Sequence, residues 1–370
     1  MKAMVIAGAR PNFMKVAPLM RALHAASDCQ PLLVHTGQHY DPNMSDRFFE
    51  ELGIPRPDAH LEVGSGTISS VMGKILLAFE PVLLAHRPDV VMVVGDVTST
   101  IACTYAAVQS HIPVAHVEAG LRSGDRGMPE EINRILTDSV SEYLFVSEPS
   151  GVENLQREGI EQEKIFLVGN CMIDTLLAHR HRSEESTILE QLGIESGCYA
   201  LVTLHRPSNV DDPIVFGRIV ESISRIAEDL DVIFPVHPRT RERIGRFGLD
   251  DRIGRMKRLR LTEPMGYFDF LKLTSHAKVV LTDSGGVQEE TTILQVPCIT
   301  LRENTERPVT VTDGTNQLAG TDPDRIAHAY QRVVRGEIGR RQAPLGWDGK
   351  AAERIVEILR ERLSGGSSNP

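Results

Sequence analysis

Short, continuously apolar runs alternate with longer amphipathic stretches along most of the chain. An apolar run without polar alternation is typical of a parallel strand covered on both faces. Helices between such strands complete βαβ units, so the pattern predicts an α/β fold. The predicted strands are 4–7, 32–35, 90–94, 114–117, 143–146, 165–168, 199–204, 232–236, 259–261, 279–281 and 298–301.

The strand runs fall into two sets, which predicts two doubly wound, Rossmann-like domains facing across a cleft. We expect an N-terminal domain at 1–168 and a C-terminal domain at 169–349, joined at Val168-Gly169-Asn170 without a long linker. A helix at about 350–363 is expected to pack back on the first domain. The Ser/Gly-rich tail at 364–370 is expected to be disordered.

Composition narrows the class of protein. The 370 residues are 41% hydrophobic and carry a formal net charge of −10, which argues against a nucleic-acid binder with a basic face. The five cysteines are isolated, as in reduced cytosolic proteins. No apolar run approaches a membrane span and no signal peptide is expected, so the prediction is a cytoplasmic protein.

Polar clusters follow the predicted strands, where doubly wound sheets bind their ligands. Because the clusters occur in both sets of strands, they predict one large cleft. The clusters are 8–10, 36–39, 95–96, 118–122, 205–207, 237–239, 283–286 and Arg302.

The stretch Asp283-Ser284-Gly285-Gly286 links an apolar run to a helical stretch. A helix start with free N–H groups attracts anions, and glycines let a phosphate approach the backbone. A tight turn with Ser284 as N-cap would explain the same residues. The following Glu289 and Glu290 would repel a bare phosphate, and a nucleotide sugar, with phosphates and hydroxyls, resolves that conflict.

Several charged side chains at the strand ends suit chemistry on such a ligand. Arg10, Lys15 and Arg307 could reach phosphate oxygens, although each could also be an ordinary charge pair. Gathered carboxylates raise one another's pKa values, which suits acid–base work and makes Asp96, Glu118 and Glu131 candidates.

Arg134 lies three residues after Glu131 and could form a purely structural ion pair with it. His205 and His237 end strands in the second half, each followed closely by arginine and proline, which favours a ligand role.

Other site types are disfavoured. Neither HxH nor HExxH occurs, so no metal site is predicted. The nearest dinucleotide fingerprint, Gly64-Ser65-Gly66-Thr67, lacks its third glycine, and there is neither a Walker A motif nor a GxSxG elbow.

In combination these motifs resemble the non-hydrolysing UDP-N-acetylglucosamine 2-epimerase family. They occur in the family's order from residue 1 to about 320. The matching segments are 8–11 with Lys15, 36–39, 95–96, 116–122, 129–134, 204–206, 237–239, 283–290 and 305–308.

The resemblance implies a fold like the GT-B glycosyltransferases and a cytoplasmic homodimer that supplies a polysaccharide precursor. It implies reversible conversion of UDP-GlcNAc to UDP-ManNAc without cofactor or metal, by elimination of UDP to 2-acetamidoglucal and re-addition. By resemblance the acid–base residues are Asp96, Glu118 and Glu131, in no assigned order, with His205 at the leaving diphosphate.

The resemblance assigns the remaining residues to substrate. Arg10, Lys15, Ser284, Gly285 and Gly286 would hold the diphosphate. The other assignments are Arg134 to the carboxylates, Glu290 to the ribose, Met265 and Phe270 to the uracil, and Arg307 to the sugar or phosphate.

Two features mark a branch within the family. Gln38, His39 and His237 match an allosteric site for a second UDP-GlcNAc, but position 41 is aspartate, which leaves activation open. A sister group epimerises a UDP-2,3-diacetamido-uronic acid and resembles this chain near 38–49. That group usually has tryptophan where this chain has Arg307, which favours UDP-GlcNAc.

Overall fold

The computed structural model describes residues 1–38, 49–339 and 341–364, without the side chains of Arg10 and Pro11. By its contacts the chain divides into two compact units. The first unit is Met1–Ala178 with Leu345–Pro370, and the second unit is His179–Pro344.

The first unit is built on a parallel sheet of seven strands in the order β3-β2-β1-β4-β5-β6-β7. β4 and β5 are buried along their whole length, as their apolar sequences predict. The strands are β1 Lys2–Ala7, β2 Gln30–His35, β3 Ala59–His60, β4 Val90–Val94, β5 Val114–Ala119, β6 Tyr143–Val146 and β7 Ile165–Leu167. The helices are α1 Arg10–Ala25, α2 Ile68–His86, α3 Thr98–Gln109, α4 Pro129–Val140, α5 Pro149–Arg157, a 3₁₀ turn Gln162–Lys164, and α6 Cys171–Ser183.

The second unit is built on a parallel sheet of six strands in the order β10-β9-β8-β11-β12-β13. The strands are β8 Tyr199–Thr203, β9 Asp231–Pro235, β10 Leu259–Thr262, β11 Val279–Thr282, β12 Cys298–Thr300 and β13 Asn316–Leu318. The helices are α7 Ile188–Leu192, α8 Pro207–Val210, α9 Pro213–Ile226, α10 Pro238–Arg246, α11 Asp250–Gly254, α12 Tyr267–His276, α13 Gly285–Leu294, α14 Val309–Thr312 and α15 Pro323–Val334. A last helix, α16 Ala351–Ser364, returns to the first unit.

Both sheets have the Rossmann strand order, and the first adds a seventh strand at one edge. The order reverses between β1 and β4 in the first sheet and between β8 and β11 in the second. This confirms the predicted α/β fold with two Rossmann-like sheets. The sequence pattern does not predict the short edge strands β3 and β13, because neither contains a continuous apolar run.

The units divide inside α6, beyond the boundary expected after Val168. Thr175 of α6 donates its hydroxyl hydrogen to the Met14 carbonyl, and Asp174 accepts from the backbone N–H groups of Ala351 and Ala352 at the start of α16. The first half of α6 therefore belongs to the first unit and anchors the returning helix there.

Helix α2 is long and apolar enough to cross a membrane by length and composition alone. This differs from the expectation from the sequence, because Lys74 and Glu80 interrupt the apolar run without outweighing it. One stripe of α2, including Ile75 and Phe79, is buried in the core beneath the first sheet. Much of the rest of the helix is exposed, including Ile68, Leu77 and Leu84.

Candidate active site

Asp96 follows β4 at the point where the first sheet reverses its strand order. Arg134 of α4 donates from Nη1 to the Asp96 carboxylate. Asn133, also on α4, donates to the Asp96 backbone carbonyl at 2.8 Å. The Asp96 side chain remains 30% exposed, so it is held from behind and is open to a ligand.

Glu131 is buried at the start of α4 beside Arg134. Its carboxylate accepts from Arg134 Nη2 at 2.6 Å, from Ser123 N and Oγ at 2.9 and 3.0 Å, and from Gly124 N at 2.9 Å. Burial raises the pKa of Glu131, but these donors outweigh it and hold the pKa below its ordinary value. Glu131 therefore holds Arg134 and the loop before α4 in place through these hydrogen bonds.

Glu118 lies in β5 at a break in register with β6. Its φ of 76° is in the left-handed region, which is uncommon for a residue with a side chain. Backbone strain of this kind concentrates at functional sites. Lys15 of α1 donates to the buried Glu118 carboxylate, so the structure gives Lys15 a carboxylate partner rather than an isolated phosphate-facing position.

Behind these carboxylates lies a buried histidine–aspartate pair that sequence reasoning did not assign. His116 bonds through Nδ1 to Asp138 at 2.6 Å and through Nε2 to the Gly95 carbonyl at 2.8 Å. Asp138 also accepts from Gly120 N at 3.1 Å and pairs with Arg122 at 2.7 Å. Burial raises the pKa of Asp138, but His116 and Arg122 bring it below its ordinary value. The available signal was His116 two positions before Glu118.

In the second unit, His205 and Asp283 meet across the reversal between β8 and β11. Asp283 is fully buried and lies 3.0 Å from His205 Nδ1. It also accepts from the backbone N–H groups of His205 at 3.0 Å and Arg206 at 2.9 Å. Burial raises the pKa of Asp283, but the contact with His205 and these donors lower it overall. Asp283 thus orients an imidazole that is 45% exposed, a role the sequence did not assign.

Helix α13 begins at Gly285, directly after Ser284. Ser284 is at the N-cap position, yet its side chain makes no capping hydrogen bond to the first turn. The reading of this stretch as a serine-capped turn is therefore wrong in that respect. The first turn of α13, with Gly285 and Gly286, has the geometry of an anion-binding helix start.

Arg307 lies directly against this helix start. A Cβ at Gly285 would come within 2.5 Å of Arg307 Nη1, so a larger residue there would require the Arg307 side chain to shift. The guanidinium is buried and binds Glu289 through Nε and Glu306 through Nη1 at 2.8 Å. Glu306 also pairs with Arg302 at 2.8 Å and Arg206 at 3.4 Å. The result is three arginines around two carboxylates, next to the glycine turn at the start of α13.

Glu290 is buried one turn into α13. Burial and the neighbouring charge of Glu289 raise the pKa of Glu290 to about 8, and a hydrogen bond with Tyr267 opposes this in part. At neutral pH the carboxyl is mostly protonated and can donate a hydrogen bond. Met265 and Phe270 stand on either side of Tyr267 in the sequence. Both are half-buried and pack on the edge of one core cluster of the second unit.

Of the predicted allosteric residues, Gln38 belongs to the first unit and His237 to the second. Gln38 accepts from Ser99 N and Oγ at 3.2 and 2.8 Å, which holds the start of α3. His237 caps α10 by accepting from Arg239 N at 3.3 Å. His39 lies outside the described residues, and Arg10 begins α1 with its side chain outside them.

Within residues 1–38, 49–339 and 341–364, no group of three or more histidine, cysteine or acidic side chains could hold a metal ion.

Comparison with known proteins gives one answer. The sequence model described as UDP-N-acetylglucosamine 2-epimerase matches residues 21–360. The UDP-N-acetylglucosamine 2-epimerase of Methanocaldococcus jannaschii is 46% identical over 97% of this chain and 99% of its own length. The chain belongs to the UDP-N-acetylglucosamine 2-epimerase family.

Two further comparisons define the neighbourhood within this epimerase family. A crystal structure of the M. jannaschii UDP-GlcNAc 2-epimerase with UDP-GlcNAc and UDP has a TM-score of 0.91 at 45% identity, covering 98% of this chain and all of that one. The UDP-2,3-diacetamido-2,3-dideoxy-D-glucuronate 2-epimerase of Pseudomonas aeruginosa is 41% identical over 97% of this chain and 99% of its own length.

The epimerase fold brings the predicted residues together in two groups, one in each unit. The first unit gathers Lys15, Asp96, Glu118, Glu131 and Arg134 at one edge of its sheet. The second unit gathers His205, Ser284, Gly285 and Arg307 at the corresponding edge. Sequence reasoning missed the buried partners His116, Asp138, Asp283 and Glu306, which act through other residues.

Proposed function

We propose that this chain interconverts UDP-N-acetylglucosamine and UDP-N-acetylmannosamine by inverting C2. The observation that carries the proposal is the pair of differently held carboxylates, Asp96 and Glu118, at one sheet edge. C2 epimerisation needs a base on one face of the sugar and an acid on the other. The similarity to relatives named for this activity supports the same substrate.

The proposed route is elimination followed by re-addition. The C2 hydrogen has no adjacent carbonyl to acidify it, so one carboxylate removes it as the C1–O bond to UDP breaks. The intermediate is 2-acetamidoglucal, and UDP then adds back to C1 while a proton is delivered to the opposite face of C2. Each step conserves atoms and needs no redox cofactor or metal.

The carboxylates divide into two roles in this proposal. Asp96 is partly exposed, and Glu118 sits on a strained bulge, so both are suited to carry the proton. Glu131 is saturated with donors and has a lowered pKa, which makes it a poor proton carrier. We assign Glu131 to holding Arg134, and through it Asp96.

UDP is assigned to the second unit. The start of α13, with Ser284, Gly285 and Gly286, would take the diphosphate, with His205 stabilising the charge of the leaving group. Lys15 would act on Glu118, its carboxylate partner, rather than on the phosphates. Arg307 would support the diphosphate turn from beneath, since its guanidinium lies against Gly285. Glu290 would bond ribose hydroxyls, and Met265 and Phe270 would border the uracil.

The test is incubation of the purified protein with UDP-GlcNAc in deuterated water, followed by proton NMR. We expect a mixture with UDP-ManNAc and deuterium at C2 without added NAD or metal. The Asp96→Asn protein is the control for adventitious turnover. Epimer formation with the original C2 hydrogen retained would contradict the elimination route, and absence of any epimer would contradict the activity.

A second candidate substrate is a UDP-2,3-diacetamido-uronic acid, because a relative named for it is 41% identical. Parallel turnover measurements with the two sugar nucleotides separate the candidates. We expect the higher kcat/KM with UDP-GlcNAc, in line with the more similar relative. A higher kcat/KM with the uronic acid would make that sugar nucleotide the preferred substrate.

We further propose that the protein is a homodimer joined through the outer faces of α2, α3 and α4. Large apolar side chains are exposed there, and α3 carries no charged residue, as suits the core of an interface. A second copy presents the same surface, so the face can pair with itself about a two-fold axis. The exposed residues are Ile68, Leu77, Leu84, Tyr105, Leu136 and Val140.

Light scattering after size-exclusion chromatography tests this arrangement. We expect a dimer for the wild type and a monomer for the double variant Leu77→Glu, Leu84→Glu. Ile214→Glu, at an exposed apolar position on α9 of the second unit, is the matched control and should remain dimeric. A monomeric wild type, or its co-sedimentation with lipid vesicles, would contradict the proposal.

Regulation by substrate is a further part of the proposal. Gln38, His39 and His237 are candidates for a second UDP-GlcNAc site. Titration of UDP-GlcNAc should give a sigmoidal rate if that site acts.

The expected location is the cytoplasm, where the protein would supply a polysaccharide precursor. The five free cysteines suit a reducing compartment.

A further inference from the structure

Two side chains hold the turn that carries Asp96 by bonding to two of its backbone carbonyls. His116 Nε2 lies 2.8 Å from the Gly95 carbonyl oxygen, and Asn133 Nδ2 lies 2.8 Å from the Asp96 carbonyl oxygen. The two side chains come from different elements, β5 and α4. The two peptide groups that flank the Asp96 Cα are thus each held by a side-chain donor.

His116 is itself fixed in one orientation. The Gly95 carbonyl can only accept, so Nε2 carries a hydrogen. Asp138 also accepts from Gly120 N and pairs with Arg122, which makes it an ionised acceptor for the other ring nitrogen. Both ring nitrogens are therefore engaged, and the buried imidazole cannot flip without losing two bonds.

The turn has little freedom to adjust by itself. Gly95 has a φ of 67°, and a Cβ there would meet Glu118 Oε2 at 3.3 Å and Lys15 Nζ at 3.4 Å. A small shift of the Gly95–Asp96 peptide would thus move Asp96 relative to Glu118. Misplacement of a reacting group by about 1 Å can cost on the order of 10²-fold in rate.

We propose that His116 and Asn133 are positioning residues that clamp the Gly95–Asp96 turn and so set the geometry of the two proton-carrying carboxylates. The inference rests on the proposed epimerisation for its catalytic consequence. The clamp itself is a property of the backbone and can be measured without turnover. Neither side chain is assigned to contact substrate.

Three variants separate the contacts. Asn133→Ala removes one clamp at a half-buried position on α4. His116→Asn keeps a donor near the position of Nδ1 and loses the bond to Gly95, whereas His116→Gln keeps a donor near Nε2. Tyr199→Phe is the matched control, because it removes a buried side-chain bond to the Leu273 carbonyl far from the turn in sequence.

The first readout is kinetic, with UDP-GlcNAc as substrate. We expect kcat to fall about 10-fold in Asn133→Ala and about 10²-fold in His116→Asn, with KM nearly unchanged. His116→Gln should retain clearly more activity than His116→Asn, and Tyr199→Phe should keep the wild-type kcat. Equal losses in the two His116 variants, or a kcat within about twofold of wild type in Asn133→Ala, would overturn the proposal.

The second readout is hydrogen exchange of the peptide covering 93–99, followed by mass spectrometry. Faster exchange is expected in Asn133→Ala and His116→Asn and not in Tyr199→Phe. If the wild type shows no epimerisation, the proposed function fails while the exchange result still decides the clamp. If His116→Asn does not fold, Asn133→Ala decides alone, and unchanged exchange there would overturn the clamp.

Discussion

The two units share one strand order, but the charged groups at the point where that order reverses differ between them. At the reversal of the first sheet, three carboxylates are balanced by two cations, Lys15 and Arg134. At the reversal of the second sheet, a helix start and three arginines surround Glu289 and Glu306, and His205 is the exposed group. The same backbone plan therefore presents acids in one unit and anion-binding groups in the other.

The difference lies in the residues that follow the strands. Each sheet brings two strand ends together at its reversal point, which the topology alone guarantees. In the first unit the strand ends supply Asp96 and a bulge at Glu118. In the second they supply His205 and the glycine turn before α13. A fold provides the location, and the side chains decide the chemistry.

The largest expected effect separates the three carboxylates of the first unit. Asp96→Asn and Glu118→Gln should each lower kcat by roughly 10²-fold or more, because each removes a proton carrier. Glu131→Gln should lower kcat less and lower stability more. It leaves Arg134 without its buried partner, a change that typically costs about 3 kcal/mol or more.

Steady-state kinetics and thermal unfolding of all three variants make the comparison. Wild-type unfolding of Asp96→Asn, whose side chain is 30% exposed, controls for damage to the fold. A Glu131→Gln protein with wild-type stability and the largest loss of kcat would contradict the anchoring role and return Glu131 to the acid–base group.

The next largest effect concerns His205 in the second unit. His205→Ala should lower kcat by about 10²-fold, because the leaving diphosphate loses an oriented imidazole. The fold should survive, since the side chain is 45% exposed and Asp283 keeps its backbone donors. UDP binding by calorimetry should weaken much less than kcat falls. A near-normal kcat would remove His205 from the proposed chemistry.

The sequence predicted the fold and the location of both groups, because continuous apolar runs and polar strand ends are local patterns. Asp96 and His205, both partly exposed, lie at the predicted strand ends, and their roles stay predictions. Asp138 and Glu306 escaped prediction because their partners, His116 and Arg302 among them, are set by side-chain packing after folding. The left-handed backbone of Glu118 has no signal in residue type either, since strain of this kind is imposed by the surrounding sheet.

A smaller effect tests the contact beneath the anion-binding turn. Gly285→Ala should weaken UDP binding about 10-fold, because its Cβ would meet an Arg307 guanidinium that Glu289 and Glu306 hold in place. Gly217→Ala on α9 is the control, since nothing lies within 4 Å of its Cβ position, and it should leave UDP binding unchanged. Calorimetric titration with UDP compares the two. Equal affinities would show that Arg307 can move aside.

The smallest effect sharpens the electrostatic contrast through Glu290. Its pKa in the fold is about 8 against 4.5 in the unfolded chain, so between these values the folded state holds one more proton than the unfolded state. Its contribution therefore makes stability fall as pH rises through this window, with a limiting slope of roughly 1 kcal/mol per pH unit. Glu290→Gln removes this dependence.

Denaturant unfolding of both proteins at pH 5, 6.5 and 8 measures the difference directly. The stability of Glu290→Gln relative to the wild type should increase steadily with pH, because only the wild type is penalised for losing the proton. Saturating UDP should leave the sign of the trend intact if the carboxyl binds the ribose while protonated. If the difference in unfolding free energy between the two proteins does not change with pH, Glu290 is ionised in the fold. The second unit then carries one more negative charge beside its three arginines.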